Sequence, residues 1–357
     1  MAKAGQSGGG TGGKSGMGAL VALLALALAL GAAHERGRTA PPAAVVVRGS
    51  DLADPSVLAV AGTLYAYGTN TVFGGHVPVL TSGDGRTWRR AGDALPTLPG
   101  WAAPADTFST WAPAVTHVGS GYRLYYTTRS AATGTECVSV ASARRPAGPF
   151  RDSSDRPLVC QADVGGSIDP SPYSAGGQAY LTWKSEGRGP GATSVIWAAR
   201  LRPDGEALSG PAVALLRPDR PWQDSVVEAP AMLTRDGGYQ LVFAAGDWRG
   251  QNYVTGVATC AGPLGPCQSA GAPVLTSGPG APSLHGRTGI ALGVAPGGAS
   301  VFLWGTRWWM AFHTWPFEPE TIPDVPRQLV IAPLPEHGRP VPDLGAVARG
   351  AVTERAG

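Results

Sequence analysis

Three carboxyl groups stand in settings suited to proton transfer: Asp54 in Ala53-Asp54-Pro55-Ser56, Asp169 in Ile168-Asp169-Pro170-Ser171 and Glu228 in Val227-Glu228-Ala229-Pro230. Acids gathered in one pocket repel and desolvate one another, which raises the pKa of at least one of them. Two carboxyls held in opposite protonation states are what cleavage of a glycosidic bond requires. One stays protonated to donate to the leaving oxygen, and the other is ionised to activate water or attack the sugar. Glu228 has the more apolar flanks and the longer reach, which suits the acid, while Asp54, beside Asp51 and Ser56, suits the base. A single Asp-Pro or Glu-Ala-Pro step is more often a turn than a catalyst. The case for chemistry therefore rests on the three together.

Some scaffold must bring these distant residues to one place, and a repeat in the sequence supplies it. Asp54 lies eleven residues before Tyr65 of Leu-Tyr-Ala-Tyr-Gly, Asp169 eleven before Tyr180 of Tyr-Leu-Thr-Trp-Lys, and Glu228 eleven before Tyr239 of Tyr-Gln-Leu-Val-Phe. Trp111 and Gly297 stand eleven before Tyr122 and Trp308 in two further copies without an acid. Each copy has a proline near its start (Pro55, Pro113, Pro170, Pro230, Pro296), and successive copies are 57, 58, 59 and 69 residues apart. Aromatic and β-branched runs bounded by Gly and Pro read as strands. A long period filled with such short strands is the sequence signature of an all-β fold, the β-propeller, and five copies predict five blades. The first strand of every propeller blade lines the central channel, so the three acids are expected at one mouth. A purely structural turn would favour similar residues in all five copies.

The 52 glycines and 33 prolines accompany 11 tryptophans and 9 tyrosines, which points to turn-rich β structure and not to disorder. A net charge of +3 without a basic block gives no ground for a nucleic-acid partner. Residues 1–18 are rich in Gly and Ser with Lys3 and Lys14, and an apolar run over 19–33 ends in Gly31-Ala32-Ala33. Residues 1–33 thus read as a signal peptide, with an uncleaved membrane anchor as the alternative. The folded part is expected to be extracellular, touching a membrane only if that segment stays attached. Residues 34–44 form a linker, 45–334 the propeller and 335–357 a tail, and Val45-Val46-Val47 is a strand candidate for closing the ring.

Four cysteines allow three pairings. Cys260 and Cys267 flank one hairpin, and Cys137 and Cys160 bracket the outer strands of one blade, so two local disulfides are predicted. Export permits them, and the spacing lacks the CxxC of a zinc site. The stretch Ser82-Gly83-Asp84-Gly85-Arg86-Thr87-Trp88 resembles an Asp-box one residue short, but a tight Asp-Gly turn explains it.

The motifs Ala53-Asp54-Pro55-Ser56-Val57, Trp111-Ala112-Pro113, Ile168-Asp169-Pro170-Ser171-Pro172 and Val227-Glu228-Ala229-Pro230-Ala231-Met232 resemble those of family 43 of the glycoside hydrolases. Phe312-His313-Thr314-Trp315 resembles that family's final-blade motif, and the likeness runs over residues 50–334. It implies a five-bladed propeller that hydrolyses α-L-arabinofuranosyl or β-D-xylosyl bonds of an oligo- or polysaccharide with inversion. By motif position it implies Asp54 as general base, Glu228 as general acid and Asp169 as the residue that tunes and orients the acid. Galactan cleavage, or a carbohydrate-binding propeller without catalysis, are the alternatives.

The chain departs from the family pattern in two places. Ala114 stands where many members carry Asp, and Pro296-Gly297-Gly298-Ala299 replaces a Gly-His-Gly often linked to a central calcium, with His285 the nearest substitute at 23 residues before Trp308. No cofactor is required by this reading, and a His-anchored calcium is not expected. Trp111 is a candidate platform for a sugar face or a packing residue between blades. His313 is a channel-lining candidate by resemblance and a satisfied core histidine by composition, while Trp308, Trp309 and Trp315 read as core. Residues 276–296 read as an extended loop of the last blade.

Overall fold

The computed structural model describes residues 44–71, 75–104, 109–187, 189, 191–235, 237–277, 293–316 and 326–334. The expected leader, the tail, His285 and most of the loop at 276–296 lie outside the described residues. The chain divides into residues 1–41 and 42–357, and everything below concerns the second unit.

A short strand β1 (Val45–Val47) precedes the first blade, which is built from β2 (Ser56–Val60), β3 (Thr63–Tyr67), β4 (Pro78–Ser82) and β5 (Arg89–Asp93). The second blade holds β6 (Thr110–Val118), β7 (Gly121–Arg129) and β8 (Glu136–Ala143). The third has β9 (Ser167–Ala175), β10 (Gln178–Ser185), β11 (Val195–Arg200) and β12 (Val213–Leu216). The fourth has β13 (Val227–Arg235), β14 (Gly238–Ala245), β15 (Val254–Cys260) and β16 (Cys267–Ser269). The fifth has β17 (Val294–Trp304), β18 (Arg307–Trp315) and β19 (Gln328–Pro333), and β1 pairs antiparallel with β19 as its outermost strand. The N-terminal strand therefore closes the last blade.

Antiparallel meanders joined by tight turns make each blade. Between β9 and β10 the turn is Gly176-Gly177, with φ of 55° and 77°, the pair of positive values that a type I′ hairpin demands. The inner strands β2, β6, β9, β13 and β17 touch in succession around a closed ring, which leaves none of them as an open edge. The core lies as slabs between neighbouring blades. One slab joins Leu124 and Phe150 to Tyr67 and Val79, another Leu241 and Phe243 to Ile196 and Leu216, and a third Trp309 and Ile331 to Leu52 and Leu64. Trp308 packs at the edge of the slab between the fourth and fifth blades.

At the head of every inner strand the residue before the proline is in the left-handed region: Asp54, Ala112, Asp169, Ala229 and Ala295 have φ between 45° and 56°. In blades two to five the ladder shifts register in or beside this step, so the kink behaves as a β-bulge that re-aims the side chains around it. Asp tolerates this conformation better than most residues, whereas each Ala stores about 1 kcal/mol or more. The kink also corrects the eleven-residue count. Asp54 and Asp169 occupy equivalent positions, but Trp111 and Glu228 each stand one residue before theirs and Gly297 two after. The count slipped because its aromatic origin moves. Tyr65 and Tyr180 pair with residues seven earlier, Leu58 and Tyr173, whereas Tyr122 and Tyr239 pair with residues five earlier, His117 and Thr234.

Both predicted disulfides are present, Cys137–Cys160 and Cys260–Cys267. The Ser82–Trp88 stretch is a turn held by Asp84, whose carboxylate accepts N–H bonds from Arg86 and Thr87. The sequence separations are 23 for Cys137–Cys160 and 7 for Cys260–Cys267, so chain entropy gives about 3.4 kcal/mol to the first and about 2.4 kcal/mol to the second. Urea unfolding of the double Cys→Ser variants should therefore rank the Cys137/Cys160 loss as the larger.

Candidate active site

The kinked strand ends bring Asp54, Asp169 and Glu228 to one mouth of the channel, each with different neighbours. Asp54 sits at the entry to the first blade, its side chain 21% exposed. The Thr69 hydroxyl donates to its Oδ2 at 2.6 Å, the Arg327 guanidinium lies 3.5 Å from Oδ1, and its own N–H donates to His313 Nδ1 at 3.1 Å. Burial alone pushes this carboxyl up, but Arg327, His313 and the Thr69 hydroxyl outweigh it and hold Asp54 below the usual carboxylate range.

The other two acids are neighbours of each other. Ala229, the residue after Glu228, donates its N–H to Asp169 Oδ2 at 2.9 Å, and the Asp169 N–H is taken by Thr127 Oγ1 at 3.2 Å. Burial first, then the charge of Glu228, push Asp169 up to about 8, against the opposing pull of Lys184. Glu228 is buried at 9% exposure. Its Oε1 accepts the Tyr253 hydroxyl at 2.7 Å and its Oε2 pairs with Lys184 Nζ at 2.7 Å.

An aromatic pair links the two halves. The Tyr253 ring, whose hydroxyl is on Glu228, stacks on the His313 ring at 5.9 Å and 16°. His313 is fully buried, and burial and Arg327 lower it to about 3, so the imidazole is neutral. His313 is thus a buried core histidine that braces Asp54 from behind the channel wall. The glycines at 297 and 298 make room for this stack. A Cβ on Gly297 would overlap the Tyr253 ring, and one on Gly298 would lie 2.6 Å from His313 Nδ1 and 2.7 Å from Asp54 Oδ1. Trp111 is half-buried on β6 opposite Thr127, and the next residue, Ala112, donates its N–H to Thr69 Oγ1 at 3.0 Å. It therefore stands between the supports of Asp54 and Asp169.

Four residues of the mouth were not singled out in the sequence: Thr69, Lys184, Tyr253 and Arg327. Arg327 is itself held, lying 5.0 Å over the Trp248 ring and 5.7 Å over that of Trp315. Trp315, read as core from the sequence, is buried and stacks on Trp248 at 6.2 Å. Among the described residues no group of three or more His, Cys, Asp and Glu side chains suits a metal ion. His313 Nε2 faces the Arg327 guanidinium at 3.4 Å, a cation that would repel a metal there.

Fold and site together define a class: a five-bladed propeller with a carboxyl-lined channel mouth in which one acid is kept ionised and another kept protonated. The profile of Glycosyl hydrolases family 43 matches residues 44–335. The chain belongs to this family. It is 24% identical over 198 residues to the extracellular endo-alpha-(1->5)-L-arabinanase 1 of Bacillus subtilis (strain 168), a match that covers 54% of this chain and 59% of that protein. Its fold is similar to that of a thermostable family-43 glycoside hydrolase, with a TM-score of 0.67 and 24% identity over 80% of this chain and 90% of the other. It is also similar to an endo-arabinase from Bacteroides thetaiotaomicron VPI-5482, with a TM-score of 0.64 and 20% identity over 84% of this chain and 100% of that one.

The raised Asp169 value makes a stability prediction. The folded chain binds more protons than the unfolded chain between the ordinary value of 3.8 and about 8, so this group's contribution falls as pH rises through that window and is least favourable above it. Asp169→Asn removes the charge and keeps an acceptor for the Ala229 N–H. Its Tm relative to wild type should rise from pH 4 to pH 9 in thermal melts, and a difference independent of pH would contradict the assignment.

Proposed function

We propose that this chain is an exported, inverting glycosidase that cleaves α-L-arabinofuranosyl or β-D-xylosyl bonds in plant polysaccharides such as arabinan or arabinoxylan. The observation that carries the reading is the opposite treatment of carboxyls at one mouth: Asp54 is held low by Arg327, His313 and Thr69, and Asp169 is held high beside Glu228. Acid–base cleavage of a glycosidic bond needs this division. The pentose class is supported by the names of the similar proteins, which include arabinanases and a xylan beta-1,4-xylosidase from Bacillus Halodurans C-125. Export is supported by the two disulfides and the extracellular arabinanase relative.

In the proposed reaction Asp54 takes a proton from a water molecule as the water oxygen bonds to the anomeric carbon. The bond from that carbon to the leaving oxygen breaks, and Glu228 delivers a proton to the departing oxygen. Asp169, tied to the Ala229 N–H, orients the residue before it. Arg327 and the Thr69 hydroxyl keep Asp54 ionised, and the neutral His313, accepting the Asp54 N–H, keeps it in place. Inversion is what the family resemblance implies, and Glu228 and Asp54 are held by different rings of the Tyr253–His313 stack. An inverting pair needs roughly 6.5–9.5 Å between carboxyls to admit the water. Trp111, half-buried at the mouth, offers a ring for the sugar face.

The test is hydrolysis of aryl α-L-arabinofuranoside, aryl β-D-xyloside and linear arabinan by the secreted protein, with proton NMR of the first-formed anomer. Wild type should cleave at least one with inversion, and Glu228→Gln and Asp54→Asn should each lose about 10²–10⁴-fold in kcat on unactivated substrate. A folded protein that binds oligosaccharide but cleaves none of the three over a broad pH range would replace the enzyme by a binding propeller.

A further inference from the structure

The scheme above leaves one buried ion without a task. Lys184 is the next-to-last residue of β10, with a side chain 5% exposed, and its ammonium lies 2.7 Å from Glu228 Oε2 and 2.8 Å from Glu186 Oε2. Burial pulls its proton affinity down, but Glu228, Glu186 and Asp169 together outweigh that and raise it, so the group stays charged. A cation fastened to a general acid is at first sight the wrong partner, because it favours loss of the proton before the substrate needs it. The second carboxylate resolves the conflict. Glu186 is 41% exposed and offers the ammonium a second carboxylate, within reach of solvent, at 2.8 Å. Without Glu186, every reprotonation of Glu228 would strand a buried charge, which is strongly unfavourable.

We propose that Lys184 is a positioning residue for the acid: bridging Glu186 and Glu228, it fixes the Glu228 carboxyl and neutralises it as its proton leaves. The proposal rests on the reading that Glu228 delivers that proton. In the step, the Glu228 O–H bond breaks, its electron pair stays on the carboxylate, and the proton bonds to the leaving oxygen. The ammonium meets the new negative charge without moving across the mouth. The charged and titratable groups around Lys184 are Asp169 from β9, Glu228 from β13, Glu186 beyond β10 and the Tyr253 hydroxyl on Glu228, with Asp54 acting at longer range on Asp169.

Opposite signs make the idea testable. Removing the ammonium should raise the proton affinity of the Asp169–Glu228 pair, and removing the Glu186 charge should lower it. Lys184→Met should move the alkaline limb of kcat/KM upward by about 1 pH unit or more, whereas Glu186→Gln should move it downward. Lys184→Arg, which keeps the charge, should return the limb towards wild type. Lys184→Met should also lose about 100-fold in kcat on an aryl glycoside with a poor leaving group but less than tenfold on one with a dinitrophenyl group, which needs little acid assistance.

Carbon-13 titration of the carboxyl carbons in the full chain reads the same shifts without turnover. Failure of hydrolysis by wild type, which would sink the glycosidase reading, is thereby distinguishable from failure of the Lys184 proposal. Glu186→Gln changes a half-exposed side chain and serves if Lys184→Met does not fold. Shifts of the same sign in the two variants, or an unmoved titration in both, would overturn the role given to Lys184.

Discussion

Repulsion between carboxyl groups at a mouth with little water is the constraint on which this site depends. Two unit charges 4 Å apart interact by about 4 kcal/mol even at an effective dielectric constant of 20, so three acids cannot all ionise there without compensation. The structure compensates each differently. Arg327 stands against Asp54, Lys184 bridges to Glu228, and burial beside Glu228 raises the proton affinity of Asp169. Each cation has an anchor of its own outside the trio. Arg327 lies over the rings of Trp248 and Trp315, and Lys184 is tied to Glu186. The asymmetry that acid–base chemistry needs is therefore built from where the two cations are fastened.

Backbone geometry decides which side chains reach that mouth. All five inner strands begin with a left-handed residue before proline, so the kink belongs to the architecture and not to the site alone. Two of the kinks carry Asp and three carry Ala, while Glu228 reaches the same mouth from the position before its kink. The fifth blade contributes differently. Its Gly297 and Gly298 give up side chains so that Tyr253 and His313 can stack across the gap between the two halves. A blade that looks empty of chemistry in the sequence thus supplies the space in which the others meet.

Much of this was legible because it is local. Strand, turn and X-Pro recur within each blade, so the propeller and its five blades follow from the repeat, and Cys260 and Cys267 pair across one hairpin. Register was less legible. Counting from the tyrosines equated Trp111 and Glu228 with Asp54 and Asp169, and the ladder moves them by one residue because Tyr122 and Tyr239 sit one step nearer their turns. Contacts between blades were not legible at all. Lys184 meets Glu228 across 44 residues and Asp54 meets His313 across 259, and no local pattern announces such pairs. The one available signal for Lys184 was a charge at the end of a strand whose other residues are mostly buried.

The central claim is that one carboxyl at this mouth is ionised well below neutral pH while another keeps its proton to about pH 8. The most direct measurement is the pH dependence of kcat/KM for the wild-type protein on whichever pentoside it cleaves, which reports the ionisations of the free enzyme. A broad bell is expected, with an acid limb below the ordinary Asp value of 3.8 and an alkaline limb near 8. A narrow optimum with its alkaline limb in the ordinary carboxylate range would contradict it, because Asp169 and Glu228 would then hold no proton at the pH where the scheme requires one.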